Sequence, residues 1–211
     1  MFYKQKFFLK ALHCFPPEIA HTVVLKAISS NFISANTDDL NISNLRTKLG
    51  NLNFNHPLGI AAGFDKNVET INVINKLGIS HMEFGTITPH PQPGNSKPRI
   101  FRLSEDKAII NRLGFPSKGI DSAIKNLRNN KNKIPIGLNI GCNKNSNDFM
   151  DDYLALTRRL GPFAEWITVN ISSPNTPGLR ELQIGSDLEK LLKNIDNERK
   201  KVEDKVKKIL Q

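Results

Sequence analysis

An α/β fold with a parallel sheet is predicted, as about four strand–helix units of the kind that build an eight-unit β/α barrel, preceded by a small helical segment. Three observations predict it. From about residue 57, short apolar runs alternate with segments of helical periodicity. Each apolar run ends in polar residues, as do strands whose C-terminal loops carry a barrel's site. Residues 1–40 differ, with phenylalanines and lysines interleaved on short helical patterns, so the chain divides into that segment and an α/β region over residues 41–211.

The first helical pattern holds Phe2, Phe7, Phe8, Leu9 and Leu12, with Lys4, Lys6 and Lys10 between them. Pro17 then suits a first helical position, and Ala20, Val23, Val24, Ala27 and Ile28 make one apolar face on a helix ending near Phe32. Asn36 to Asp39 reads as a linker. The predicted strands are Leu58–Ala62, Met82–Thr86, Ile134–Ile140 and Trp166–Ile171. A helix through Val73, Ile74 and Leu77 follows the first strand, and one over Asp151–Leu160 follows the third. The last helix opens at the capping-box pattern Ser186-Asp-Leu-Glu189 and continues through Leu191, Ile195, Val202 and Val206. Between the second and third strands, PHPQPGNSKPRIFRL and AIINRLGF are expected to form a hairpin over one rim.

Lys and Arg number 30 against 20 Asp and Glu, and the net charge of +10 favours an acidic partner, whether lipid, nucleic acid or a small anion. Cys14 and Cys142 have neither paired metal-ligand spacing nor a disulfide framework, so no metal site is expected and a reducing compartment is the default. No uninterrupted apolar run approaches the roughly 18 residues that a membrane span needs. The N-terminal helices suit either a membrane interface, with lysines toward lipid phosphates, or packing on the main domain.

The series PLGIAAGFDKN, EFGTITPHPQPGNSKPRIFRL, INRLGF, GLNIG and VNISSPNTPGLRELQ resembles, in order and spacing from Leu49 to Gln183, the quinone-linked (class 2) dihydroorotate dehydrogenases. The resemblance implies a TIM-type (β/α)8 barrel and an FMN enzyme. Such an enzyme oxidises dihydroorotate to orotate in pyrimidine (UMP) biosynthesis and passes the electrons to a respiratory quinone. By matching position, Ser173 is implied as the catalytic base; class 1 relatives carry cysteine there. A serine hydroxyl is a poor base unless its proton is relayed, and a water chain touching Thr176 is the expected relay. Ala62, Gly63, Asp65, Lys66, Thr86, Asn139 and Asn170 are implied along FMN. Lys66, Asn111, Arg112, Leu113, Gly114, Phe115, Asn170 and Asn175 are implied around the substrate, its carboxylate against Lys66. Asparagine suits such a ring because it offers donor and acceptor without charge. His21 and Arg102 match quinone-side positions. The implied location is peripheral, at an anionic membrane surface on the cytoplasmic face of the inner membrane, with no nucleic-acid partner.

Singly, these residues have plainer readings. Asn139 and Asn170 could cap loops, Thr86 could be a buried strand residue, Lys66 a solvated one and His21 a helix-surface histidine. Their joint occurrence at matching strand ends favours the site. The chain departs from the family pattern at Asn67-Val68, where Asp-Gly is common, at His56, where asparagine is usual, and at Pro116-Ser117, which replaces an asparagine pair. Family members continue with four more units, which carry a flavin-contacting lysine, a Thr-Asn substrate segment and the glycine loops for the FMN phosphate. The chain is therefore expected to be an N-terminal portion, inactive and poor at binding FMN unless the other half is supplied. Two alternatives remain: a non-catalytic membrane-associated remnant and a related flavin-dependent barrel oxidoreductase.

The basic residues beside apolar faces near the N-terminus predict binding to anionic vesicles. Removal of roughly the first 35 residues is expected to abolish co-sedimentation at low salt. Equal sedimentation of the truncated and intact chains would contradict this.

Overall fold

The computed structural model describes residues 10–32, 43–131, 134–174, 176 and 178–209. The expected first helix up to Leu9, the linker Asn36–Asp39 and the site residue Asn175 lie outside these. Residues 10–13 are helical, and α1 (Pro17–Ser29) follows, with Pro17 in its first turn as expected.

Four strands form one parallel sheet in the order β3-β4-β7-β8: β3 (Gly59–Ile60), β4 (His81–Ile87), β7 (Ile136–Ile140) and β8 (Trp166–Val169). A hairpin of β1 (Thr47–Leu49) and β2 (Leu52–Phe54) precedes them, and a second, β5 (Ile100–Leu103) with β6 (Ala108–Asn111), sits between β4 and β7. The helices α2 (Gly119–Arg128), α3 (Phe149–Leu160) and α4 (Gly185–Ile209) pack on the sheet or on one another. This is the architecture of about four βα units of a (β/α)8 barrel.

Side chains alternate along each strand, and here the two faces differ in chemistry. Met82, Phe84, Leu138 and Ile140 are fully buried in the core that contains Ile120 and Leu127 of α2 and Tyr153, Leu156 and Leu160 of α3. Each such apolar side chain contributes roughly 1.5–3 kcal/mol on burial. The opposite face carries His81, Glu83, Asn139, Trp166 and Thr168, which meet through hydrogen bonds and ring contacts. Glycines make room for the rings. A Cβ on Gly137 would lie 2.0 Å from the Trp166 ring, and one on Gly59 would lie 2.2 Å from His81. Phe54 closes this end from the first hairpin, its ring 4.8 Å from that of His81.

The strands fall where expected, but β3 covers only two residues, β7 starts at Ile136 and β8 ends at Val169, while β4 extends one residue further at each end, His81–Ile87. The hairpin at the rim is present. In place of the helix expected through Val73, Ile74 and Leu77 there is a 3-10 turn, Ile74–Leu77. The reason lies upstream. The fully buried Asp65 carboxylate accepts from Asn67 N (3.0 Å), Thr70 N (2.7 Å) and Thr70 Oγ1 (2.8 Å), which holds the chain in a side-chain-capped turn. The β-branched run Thr70, Ile71, Val73, Ile74 favours a helix weakly. Val68 sits in this turn at φ +62°, a conformation that costs a branched residue roughly 1–2 kcal/mol, and its complete burial offsets that cost. The last helix begins at Gly185, one residue ahead of the serine expected to cap it.

Two elements were not foreseen. Helix α2 buries Ile120, Ala123, Ile124 and Leu127, a helical stripe hidden in sequence behind the hairpin motifs. The β1–β2 hairpin turns at Gly50-Asn51, with Gly50 at φ +58°.

Candidate active site

The strands β4, β7 and β8 run parallel, so the residues following them meet at one rim. The register of β4 against β7 shifts between Phe84 and Ile87, which turns Thr86 inward. Gly85 makes the shift possible, since at φ +117° its missing Cβ would stand 2.3 Å from the Asn139 carbonyl. Thr86 Oγ1 then donates to Asn139 Oδ1 at 2.7 Å, and Asn170 Nδ2 donates to the same oxygen at 3.1 Å and to Thr86 Oγ1 at 3.2 Å. Asn170 Oδ1 accepts from the Ser172 amide (3.3 Å) and hydroxyl (3.0 Å). Tyr153 Oη donates to the Asn170 carbonyl at 2.8 Å, tying this loop to α3. Burial pushes the Tyr153 phenol far up and the Cys142 thiol up to about 11, so both stay neutral.

Above this network lies a pocket of about 300 Å³. It brings together Ala62, Gly63 and Lys66 from the loop after β3, Thr86 from β4, Asn111 and Leu113–Phe115 from the hairpin's return, and Asn170 and Ser173 from the loop after β8. Ser173 is buried. The Gly114–Phe115 turn has both residues at positive φ and is braced from behind: Gln92 Nε2 donates to the Phe115 carbonyl at 2.9 Å, while Gln92 Oε1 accepts from Asn143 Nδ2 at 2.9 Å. Neither Gln92 nor its brace was singled out in the sequence, although it lies in the PQPGN motif.

Three expected residues stand apart from the pocket wall. Asp65 is buried in its turn. Asn139 lies beneath the pocket as the hub of the hydrogen bonds above. Arg112 turns its guanidinium to the Pro98 carbonyl (3.1 and 3.3 Å), with Phe101 6.0 Å away.

A second cavity of about 730 Å³ opens between α1 and the rim, and Lys66 lines both. Helix α1 is held there by Glu18, whose carboxylate meets the buried Arg99 at 2.5 Å and Lys97 at 3.4 Å. The hydrogen bond from Arg99 holds the Glu18 carboxyl below its usual range. Arg102 donates to the carbonyls of His13 (3.2 Å) and Phe15 (2.8 Å), so it anchors the turn before α1. His21 Nε2–H donates to the Phe64 carbonyl at 2.6 Å, inside the loop that ends at Lys66. Lys66 itself donates to the Gly63 carbonyl. Burial, and then the nearby Arg99, lowers the Lys66 ammonium pKa against the opposing pull of Asp65.

Burial and then the Lys66 charge also lower the His21 pKa below 6.5. The unfolded state therefore takes the proton first on acidification, and stability is lost as pH falls from 6.5 toward the folded value. Glu18, with its lowered pKa, keeps its charge through that window. NMR titration is expected to place the His21 imidazole below 6.5, with α1 amides less protected, relative to their intrinsic exchange rates, at pH 5.5 than at pH 7.5. His21→Gln, which keeps an N–H for Phe64, should flatten this dependence. An imidazole titrating above 6.5 would contradict the account.

The family model for dihydroorotate dehydrogenase matches residues 44–208. A dihydroorotate dehydrogenase (quinone) of Idiomarina loihiensis is 48% identical over 157 residues, which cover 74% of this chain and 47% of that relative. The mitochondrial dihydroorotate dehydrogenase (quinone) of Cyclocybe aegerita is 47% identical over 188 residues, 88% of this chain and 56% of the relative. The crystal structure of Eimeria tenella DHODH in complex with ferulenol superposes with a TM-score of 0.82 at 39% identity, covering 88% of this chain and 51% of that one. The chain thus spans about half the length of the relatives it matches. Over that span, it belongs to the dihydroorotate dehydrogenase family, among quinone-linked relatives.

Proposed function

We propose that the chain contributes the substrate-facing half of the active site in a flavin-dependent dihydroorotate dehydrogenase that delivers electrons to a quinone. The observation that carries this reading is the 300 Å³ pocket, where Lys66, Asn111, Asn170 and Ser173 converge from separate loops on one rim. The substrate is a small ring with a carboxylate and ring amides. Lys66 supplies a partly desolvated cation for the carboxylate, where its charge acts more strongly than in water. Asn111 offers donor and acceptor to the ring amides, and Asn175 joins it by family position. The two amide protons of Asn170 are already engaged, so its ligand contact uses Oδ1 and displaces the rotatable Ser172 hydroxyl.

Ser173 takes the proton from substrate C5. A hydroxyl is a weak base, so its own proton must pass onward, and the buried Thr176 is the relay that this loop offers. Flavin fits the same pocket. The Cβ position of Gly63 is open, with nothing within 4 Å, and beside it Lys66 has donors to spare for a ring bearing carbonyl acceptors, while Thr86 and Asn170 present oxygens to a ring N–H. When bound, the flavin supplies the two-electron acceptor that the oxidation requires. Ala62, Gly63, Lys66, Thr86 and Asn170 would hold it, while Asp65 and Asn139 keep their shape from behind.

His21 and Arg102 belong to the quinone side of this reading, and residues 1–40 form its membrane-facing segment. No helix among the described residues is long and apolar enough to cross a membrane. Phe15, Ile19 and Val23 are exposed on and beside α1, which suits attachment to an anionic surface.

The test is a chimera of this chain completed with the part of the Idiomarina loihiensis relative beyond the match. Anaerobic dihydroorotate is expected to bleach its flavin, and Ser173→Ala should slow this at least about 100-fold while leaving the flavin bound. A flavin-loaded chimera that dihydroorotate does not bleach would contradict the function, and unchanged bleaching by Ser173→Ala would remove Ser173 as the base.

A further inference from the structure

Glu83 lies on the inner face of β4, below the pocket, and no ligand contact accounts for it. It gathers three donors. One oxygen, Oε1, accepts from Asn139 Nδ2 at 2.8 Å, and Oε2 accepts from Trp166 Nε1 at 3.1 Å and Thr168 Oγ1 at 2.9 Å. Asn139 is buried, with Nδ2 bonded downward to Glu83 and Oδ1 upward to Thr86 and Asn170. Asn170 continues upward with Oδ1 toward Ser172.

From these contacts we infer that Glu83 is a positioning residue, whose carboxylate sets the direction of the hydrogen-bond chain Glu83–Asn139–Asn170–Ser172 and with it the orientation of both site amides. An amide has two nearly isosteric orientations, so shape alone does not choose between them. The carboxylate does, because it accepts and does not donate. If the Asn139 amide flipped, its oxygen would face that of Glu83 and its NH2 would face the NH2 of Asn170. A matching flip of Asn170 would then point an NH2 at the Ser172 backbone N–H. The donor-only Ser172 N–H favours this direction at the top of the chain, and the acceptor at its base fixes Asn139, whose own amide could otherwise turn over. The indole N–H of Trp166 is donor-only, so it keeps an acceptor in place at Oε2. Charge-assisted bonds in a half-buried setting strengthen the preference.

The chemical consequence lies above. With this polarity, Asn170 presents an acceptor to the start of the loop that carries Ser173, and its donors are engaged on the protein side. That this orientation serves catalysis rests on the function proposed above. The orientation itself does not, so the two can fail separately.

Glu83→Gln separates polarity from shape. Its single carbonyl oxygen can serve Asn139 or the Trp166–Thr168 pair, but not both, so two chain directions become accessible. In the 15N-labelled chain, the side-chain amides of Asn139 and Asn170 are expected to give one slowly exchanging pair of resonances each, and the Asn139 pair should show a cross-peak to the Trp166 indole proton. In Glu83→Gln, both pairs should split or broaden and exchange at least about tenfold faster. Thr168→Val removes a donor and leaves the carboxylate, so it should keep the single pairs, an outcome that a merely structural role for Glu83 would not separate from the Gln variant. Single, slow pairs in Glu83→Gln would overturn the inference. If that variant does not fold, the parent decides: a missing Asn139–Trp166 cross-peak overturns the inference, and its presence together with single pairs in Thr168→Val supports it.

Discussion

The parallel register of β4, β7 and β8 is the constraint on which the remaining structure depends. Because the strands share a direction, their following loops emerge on one rim, and because side chains alternate, one face of each strand is given to the helices and the other to the interior. The helix-facing positions are apolar, buried on β4 and β7 and partly buried at Ile167 and Val169 of β8. Opposite them, the inner face grades from rings fitted over glycines, through a carboxylate with three donors, to the amides and hydroxyl under the pocket. The carboxylate, amides and hydroxyls in this place are tolerated because they are bonded to one another, and an unbonded one would cost roughly 1–3 kcal/mol.

That grading links stability to function. The lower rings and glycines bring β7 and β8 close, which lets Glu83 reach Asn139, Trp166 and Thr168 together. The amides above inherit a fixed direction and offer the pocket defined donors and acceptors. Helix α1 adds a separate influence. Its clamp through Glu18 and Arg99 and its bond from His21 to Phe64 bear on the loop that delivers Lys66. A displacement of α1 would therefore be transmitted to a cation in the pocket.

Much of this was legible in the sequence. Apolar runs located all four sheet strands, since buried parallel strands leave an unbroken pattern. The polar segments after them located the pocket, and Ala62, Gly63, Lys66, Thr86, Asn170 and Ser173 do gather at it. What escaped depended on tertiary context. The turn after β3 departed from helical periodicity because one buried carboxylate, Asp65, outweighs a weak local preference. Helix α2 carried a readable stripe that was obscured by the neighbouring motifs. The departure at Val68 looked like a surface variation, yet the residue occupies a left-handed turn and is buried. Glu83 had one faint signal, an acid inside an apolar strand, and its partners are more than 50 residues away in the chain.

The central claim is that this rim holds the reacting ring against Ser173. A crystal structure of the completed chimera with FMN and orotate tests it most directly. The account places the orotate carboxylate against Lys66 and its C5 within about 3.5 Å of Ser173 Oγ, with Asn111 and Asn170 on its polar edges. Orotate bound elsewhere, or with C5 turned away from Ser173, would contradict it.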